Sequence, residues 1–293
     1  MQKITVTDKS TRKSYQVTGP VYETPHVWCG TGRDPELGDI FVKILRYDPN
    51  TKEGKEQHRL AKREAEVMLK AAECTKGIPK LYAHWDEPAQ GRYVIVMQKM
   101  PGIPLRSWLE KRLPLQIDEK TVWLHSLILR QVAQILLEIH KKIPGISHRD
   151  VKPENIMIWL NAKHQWEVAL IDFGTAALDY SVDVGTTGYQ PPEQISLQDT
   201  YIGSGEAKDV FALGIMWYEL LTGTRAYELM FDFYTDYDNR CWESRPSLPS
   251  EVIQTENGKR YSILFEKMTE YDPARRPSLQ DIVNRIALKR RSR

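Results

Sequence analysis

The sequence predicts an α+β protein in two unequal parts: a small antiparallel β-sheet carrying one helix, residues 1–100, and a larger, mainly α-helical part, residues 101–293. Three observations predict it. Before residue 100 short runs of strand-type residues, such as Ile4-Thr5-Val6 and Tyr93 to Met97, alternate with polar turns. One segment rich in Lys, Glu, Ala and Leu interrupts that alternation. After Pro101-Gly102 the apolar spacing lengthens to three and four, the signature of a helix with one buried stripe.

Ile4-Thr5-Val6 and Tyr15-Gln16-Val17 flank a polar turn and read as the opening strands. Asp39 to Leu45 and Tyr93 to Met97 read as later strands of the same sheet. The interrupting helix runs from about Glu56 to Ala72, with Leu60, Glu64, Val67 and Met68 sharing a face. In the second part, Val122 to Ile139 spaces Leu124, Ile128, Val132, Ile135 and Ile139 as a buried stripe. Val210 to Leu221 is apolar nearly all round, which suits a helix inside a large core.

A 293-residue chain with 41% apolar residues can bury a full core. Its 41 basic and 39 acidic residues leave a net charge of +2, so no global charge argues for nucleic acid or an anionic membrane as partner. No apolar stretch approaches the roughly 20 residues of a membrane span, and Met1 to Thr7 alternates like a strand instead of forming a signal-peptide core. A cytoplasmic location is expected. Cys29, Cys74 and Cys241 are odd in number and far apart, which favours reduced thiols over a disulfide framework or a zinc site. The basic run Leu288 to Arg293 reads as a solvated helix end, with a docking tail or a nucleic-acid contact as alternatives.

Chemistry concentrates in two strings. Residues 148–155 read His-Arg-Asp-Val-Lys-Pro-Glu-Asn, and seventeen positions beyond Asn155 stands Asp172-Phe173-Gly174. A carboxylate at Asp150 can accept the proton of an incoming hydroxyl, while the Asn155 amide and the Asp172 carboxylate offer the hard oxygens that magnesium takes. Together the strings specify phosphoryl transfer.

With these strings the chain resembles the eukaryotic-type (Hanks-type) serine/threonine protein kinases from about residue 15 to 287. The closing wording Gly185-Thr186-Thr187-Gly188-Tyr189-Gln190-Pro191-Pro192-Glu193 is similar to that of many bacterial members. The resemblance implies a bilobal protein-kinase fold and ATP with Mg2+ or Mn2+ as cofactors. It also implies transfer of the γ-phosphoryl group to serine and threonine hydroxyls of protein substrates, this chain itself among them by autophosphorylation. Lys152-Pro153-Glu154 is the serine/threonine form of the catalytic loop, and the Pro-Pro-Glu segment favours protein over small-molecule acceptors. No nucleic-acid substrate is implied, and the oligomeric state is left open.

Residue by residue, the resemblance makes Lys43, in Phe-Val-Lys-Ile-Leu, the cation on the α and β phosphates, and Glu64 its helical partner. Asp150 becomes the base, Asn155 and Asp172 the metal ligands, and Lys152 the cation that steadies the transferring group. Thr186 becomes a hydrogen-bond partner of the base. Val27, Phe41 and Met157 enclose the adenine, Met97 is the gatekeeper, and Lys99 to Met100 form the hinge. Glu193 pairs with Arg276, and Asp209 braces the backbone of the catalytic loop.

The chain departs from the family at the glycine-rich loop. Counting back from Lys43 puts that loop at Pro20 to Val27, where Pro20, Tyr22 and Pro25 stand in place of the three glycines. Proline has no N–H to offer a phosphate, and tyrosine blocks close approach of the backbone. Gly30-Thr31-Gly32 lies too near Lys43 to serve as the loop and reads as a strand-to-strand turn. Phe41 replaces the family's usual Ala two residues before the lysine and either crowds the adenine or stacks on it.

Regulation has two readings. Arg149 receives a phosphate on Ser181, or Asp179 or Asp183 supplies a permanent charge instead. The aromatics Phe231, Phe233, Tyr234, Tyr237 and Trp242 either pack the second part or form a docking patch for basic partners, and Glu154 can attract a basic residue of the substrate. The alternative to an enzyme is a pseudokinase acting by shape. A further alternative transfers AMP through an altered nucleotide pose.

Overall fold

The computed structural model describes residues 2–176, 185–186, 188–195, 204–227 and 245–286. The chain forms two compact units, residues 1–101 with 172–174 and residues 102–171 with 175–293. Asp179, Ser181, Asp183, Cys241, the aromatic run from Phe231 to Trp242 and the basic run from Leu288 lie outside the described residues.

In the first unit β1 (Gln2–Asp8), β2 (Lys13–Glu23), β3 (Val27–Asp34), β4 (Gly38–Arg46), β5 (Leu81–Glu87) and β6 (Arg92–Gln98) form one antiparallel sheet in the order β1-β2-β3-β4-β6-β5. Strict alternation sorts its side chains. Val6, Tyr15, Val17, Trp28, Ile40, Val42, Ile44, Val94 and Val96 form one buried cluster. The intervening residues of β3, β4 and β6 face the other way, and there Lys43 lies directly across from Cys29 and Ile95. Helix α1 (Lys52–Ala72) packs on β4, β5 and β6.

Three expectations need correction here. Gly30-Thr31-Gly32 is the interior of β3, not a turn. A Cβ at Gly30 would meet the Trp28 ring at 2.4 Å, and one at Gly32 would meet the Gln16 carbonyl at 2.1 Å, so these glycines let β2 and the Trp28 ring come close. The β2–β3 turn lies at residues 24–26, and Pro20 sits where the ladder register shifts between Thr18 and Tyr22. Helix α1 starts four residues before Glu56, because the Thr51 hydroxyl accepts the Gly54 N–H and caps it. Its buried residues are Gly54, Ala61, Glu64, Ala65, Met68 and Ala71, whereas Leu60 is 38% exposed. Alanines facing the sheet let the helix approach closely, and Leu60 is turned out.

The second unit is mainly helical: α2 (Leu105–Glu110), α3 (Glu119–Lys142), α4 (Pro192–Ile195), α5 (Gly205–Thr222), α6 (Ser250–Ile253), α7 (Glu256–Met268) and α8 (Leu279–Arg285). β7 (Ile103–Pro104), β8 (Ile156–Leu160) and β9 (Trp166–Leu170) form a small sheet, and the catalytic loop follows α3 and leads into β8. By length and composition α3 could cross a membrane, which the expectation of no such stretch missed. Its Ile128, Val132, Ile135 and Ile139 are buried instead, and the helix packs on α5, α7, α8 and β9. Helix α5 is buried nearly all round, capped by Ser204 at its start and ended by Gly223 at φ +77°.

Candidate active-site residues

In the first unit, the alternation of β4 that buries Val42 and Ile44 turns Lys43 toward α1. Its ammonium donates to Glu64 Oε1 at 2.7 Å and to Asp172 Oδ1 at 2.9 Å. Burial alone would lower the lysine pKa, but the Asp172 and Glu64 carboxylates outweigh it and hold it well above the ordinary value. The same burial pushes Glu64 up, with Lys43 opposing. Asp172 is the open member of this trio, its side chain 44% exposed, and its φ of +63° is a left-handed conformation that a non-glycine residue keeps only under constraint. Glu64 is spent on Lys43, whereas the exposed Asp172 carboxylate keeps a hard oxygen of the kind a divalent cation takes. The neighbouring Cys29 thiol is pushed up to about 12 by burial and is no nucleophile at neutral pH.

The residues expected around the adenine occupy separate elements. Phe41 is half-buried and lies directly across from Thr31 and Met97, on the same face of the sheet as Lys43. Val27 opens β3 across from Leu45; Met97 and Met100 are buried at and just beyond the end of β6. Met157 belongs to β8 of the second unit, half-buried and paired with Ala169 and Pro104.

The hairpin tip that replaces the glycine-rich loop is closed on itself. Thr24 donates its N–H to the Val27 carbonyl at 2.8 Å, and Val27 donates its own to Thr24 Oγ1 at 3.0 Å, while Pro25 has none. Arg46, at the end of β4, donates its N–H to the His26 carbonyl at 2.7 Å and its guanidinium to the Thr24 carbonyl and the Glu23 carboxylate.

In the second unit, Asp150 is held by three donors. Thr186 Oγ1 donates to Oδ1 at 2.6 Å, and Asn155 Nδ2 at 2.8 Å and Lys152 Nζ at 2.8 Å approach Oδ2. Lys152 also donates to Thr186 Oγ1. Because Asn155 spends its NH2 group on the Asp150 carbonyl and carboxylate, its amide oxygen is turned elsewhere, as a cation ligand must be. Below the loop, the fully buried Asp209 on α5 accepts from the N–H groups of His148 and Arg149, from Ser147 Oγ at 2.9 Å and from His140 Nε2 at 2.9 Å. Burial would raise this carboxyl, and the donors, His140 first, bring it below the ordinary value. Arg149 takes φ +65°, and Gly185 lies so close at φ +131° that a Cβ would stand 2.6 Å from the Arg149 carbonyl oxygen.

Two buried ion pairs complete this unit. Glu193 and Arg276 are bidentate at 2.5 and 2.9 Å. The remaining Arg276 N–H groups go to the carbonyls of Ala207, Glu270 and Tyr271. The sequence reading missed the second. Arg106 on α2 pairs with Glu219 on α5 and donates to the Tyr189 hydroxyl at 2.9 Å, and Tyr189 donates to Glu219 at 2.5 Å. The available signal was the single Glu in the apolar run Val210 to Leu221, since a buried charge demands a partner. Arg106 and Arg225 also donate to Glu154 Oε1, at 2.9 and 3.3 Å, so this chain's own arginines already engage the carboxylate read as a lure for basic substrates.

A family model described as protein kinase domain matches residues 37–286, beginning just after the hairpin that lacks its glycines. Aurora kinase C of Mus musculus is 28% identical over 87% of this chain and 83% of its own length. Serine/threonine-protein kinase Nek8 of Danio rerio is 28% identical over 84% of this chain and 33% of its own. Serine/threonine-protein kinase F of Synechocystis is 29% identical over 73% of this chain and 44% of its own. The chain thus spans most of the mouse protein and less than half of the other two.

Proposed function

This chain belongs to the protein kinase domain family, and from that premise we propose how its residues act as an ATP-dependent serine/threonine protein kinase. The γ-phosphoryl group of ATP passes to a serine or threonine hydroxyl of a protein substrate. One observation carries the reading: the Asp150 carboxylate fixed by Thr186, Lys152 and Asn155. A carboxylate so oriented aligns the acceptor hydroxyl and takes its proton as the new P–O bond forms and the bond to the leaving ADP oxygen breaks. Lys152 offers positive charge beside that carboxylate, where negative charge develops on the transferring group. Lys43, kept charged by its carboxylate partners, binds the α and β phosphates.

Asp172 and Asn155 are the proposed cation ligands, and a divalent ion, magnesium ahead of manganese, supplies neutralisation of phosphate oxygens. Val27, Phe41, Met97, Met100 and Met157 are the proposed adenine contacts, and residues 1–100 and 101–293 the proposed lobes. ATP and magnesium are cytoplasmic supplies, and Cys29 is a buried free thiol, so the cytoplasm is the proposed compartment. Substrates include this chain itself. The pseudokinase alternative is disfavoured, since the similar proteins are named as kinases and no catalytic side chain is missing.

Transfer from labelled ATP with magnesium, then manganese, to the protein and to a generic acceptor tests the proposal beside Asp150→Ala and Asp172→Ala. Label on Ser or Thr that disappears in both variants is expected. A folded wild type that transfers no more than the variants would move the assignment to a pseudokinase.

A further inference from the structure

The inner stripe of α1 runs His58, Ala61, Ala65, Met68, and all but His58 are buried. A face made chiefly of methyl groups lets the helix lie close to the sheet but gives it few ridges to lock its position along its axis. Polar contacts must set that position, and two stand out. One is Lys43 with Glu64. The other is six residues, about 9 Å, nearer the helix start. There His58 Nε2 donates to Asp86 Oδ2 at 2.9 Å while the Tyr47 hydroxyl donates to Asp86 Oδ1 at 2.5 Å. The Tyr47 and His58 rings lie 4.7 Å apart, and Tyr93 flanks His58 at 6.0 Å. Tyr47 directly follows β4, the strand of Lys43, and its N–H is tied to the Gly91 carbonyl at 2.7 Å. One carboxylate on β5 therefore joins the end of the strand that carries Lys43 to the helix that carries Glu64.

We infer that Asp86 is a positioning residue: through Tyr47 and His58 it fixes α1 against β4, so that Glu64 reaches Lys43. The inference rests on the kinase reading for its catalytic consequence and on geometry alone for its mechanical one. Asp86→Ala, His58→Ala and the double variant provide the test, read by phosphoryl transfer and by amide hydrogen exchange along residues 58–72. Glu87→Gln, which disturbs the Arg92 and Trp85 contacts of the same strand, is the control.

Each single variant should lower kcat/KM about tenfold, within the loss that a displacement of about 1 Å can cause, and speed exchange in α1 without speeding it in β1 to β3. The double variant should add little to either single one. Asp86→Glu should restore part of the rate, and the control should leave transfer unchanged. Unchanged α1 exchange in Asp86→Ala would overturn the inference, as would an equal loss in Glu87→Gln. If the wild type transfers no phosphate, the kinase reading falls and the exchange data still decide whether Asp86 holds the helix.

Discussion

The hairpin tip at residues 24–27, which stands where the kinase resemblance expects a glycine-rich loop, and the catalytic loop at residues 148–155 spend their polar groups in opposite ways. The N–H groups of His148 and Arg149 are bound from below by Asp209, and the side chains of Asp150, Lys152 and Asn155, the proposed catalytic group, meet one another above them. The hairpin turns its hydrogen bonds on itself and on Arg46. A glycine-rich loop works by leaving N–H groups unspent for phosphate, and this one has few left to give. Under the proposed function, phosphate chemistry therefore falls on side chains and the hairpin serves as architecture.

The largest effect should come from Asp150→Ala, which should reduce phosphoryl transfer by about 10²–10⁴-fold with the fold intact. Retained activity would place the base elsewhere. Next, Asp209→Ala strips several buried donors of one acceptor and should destabilise the second unit by about 3–5 kcal/mol in chemical denaturation. A loss below about 1 kcal/mol would mean that the loop does not depend on its buried brace.

Acid gives a third approach. Burial depresses His125 to about 4, so the unfolded chain binds its proton first and stability falls as pH drops from about 6.5 to about 4, by about 3 kcal/mol in all. The depressed Asp209 adds a further loss below about pH 4, as pH falls through its folded pKa. A His125→Gln variant that retains the wild-type slope between pH 6.5 and 4 would remove His125 as the cause. The smallest effects belong to the hairpin. Arg46→Ala should change stability by less than about 1 kcal/mol, because its ion pair is exposed. Pro25→Gly should change ATP affinity by less than about threefold in calorimetric titration. A tenfold gain with Pro25→Gly would show that the missing N–H was limiting.

The contrast also explains what could be read in advance. The catalytic strings were legible because their residues stand close together in a fixed order, and the long helices were legible because α3 and α5 bury stripes wide enough to dominate their composition. The glycines of β3 were misread as a turn because close approach of another strand and a turn leave the same letter in the sequence. The inward face of α1 was misassigned to Leu60 because alanine carries too little apolar weight to announce itself. Arg106, Tyr189 and Glu219 escaped notice because their contacts span 30, 83 and 113 positions and no local spacing encodes them.

Arg276 spends all five of its N–H groups on Glu193 and on three carbonyls from two separate stretches of chain. During synthesis, therefore, the segment around Glu193 must wait, its carboxylate still hydrated, until Arg276 has left the ribosome. A nascent chain stopped short of residue 276 should remain sensitive to protease around Glu193, and extension past residue 276 should abruptly close that window.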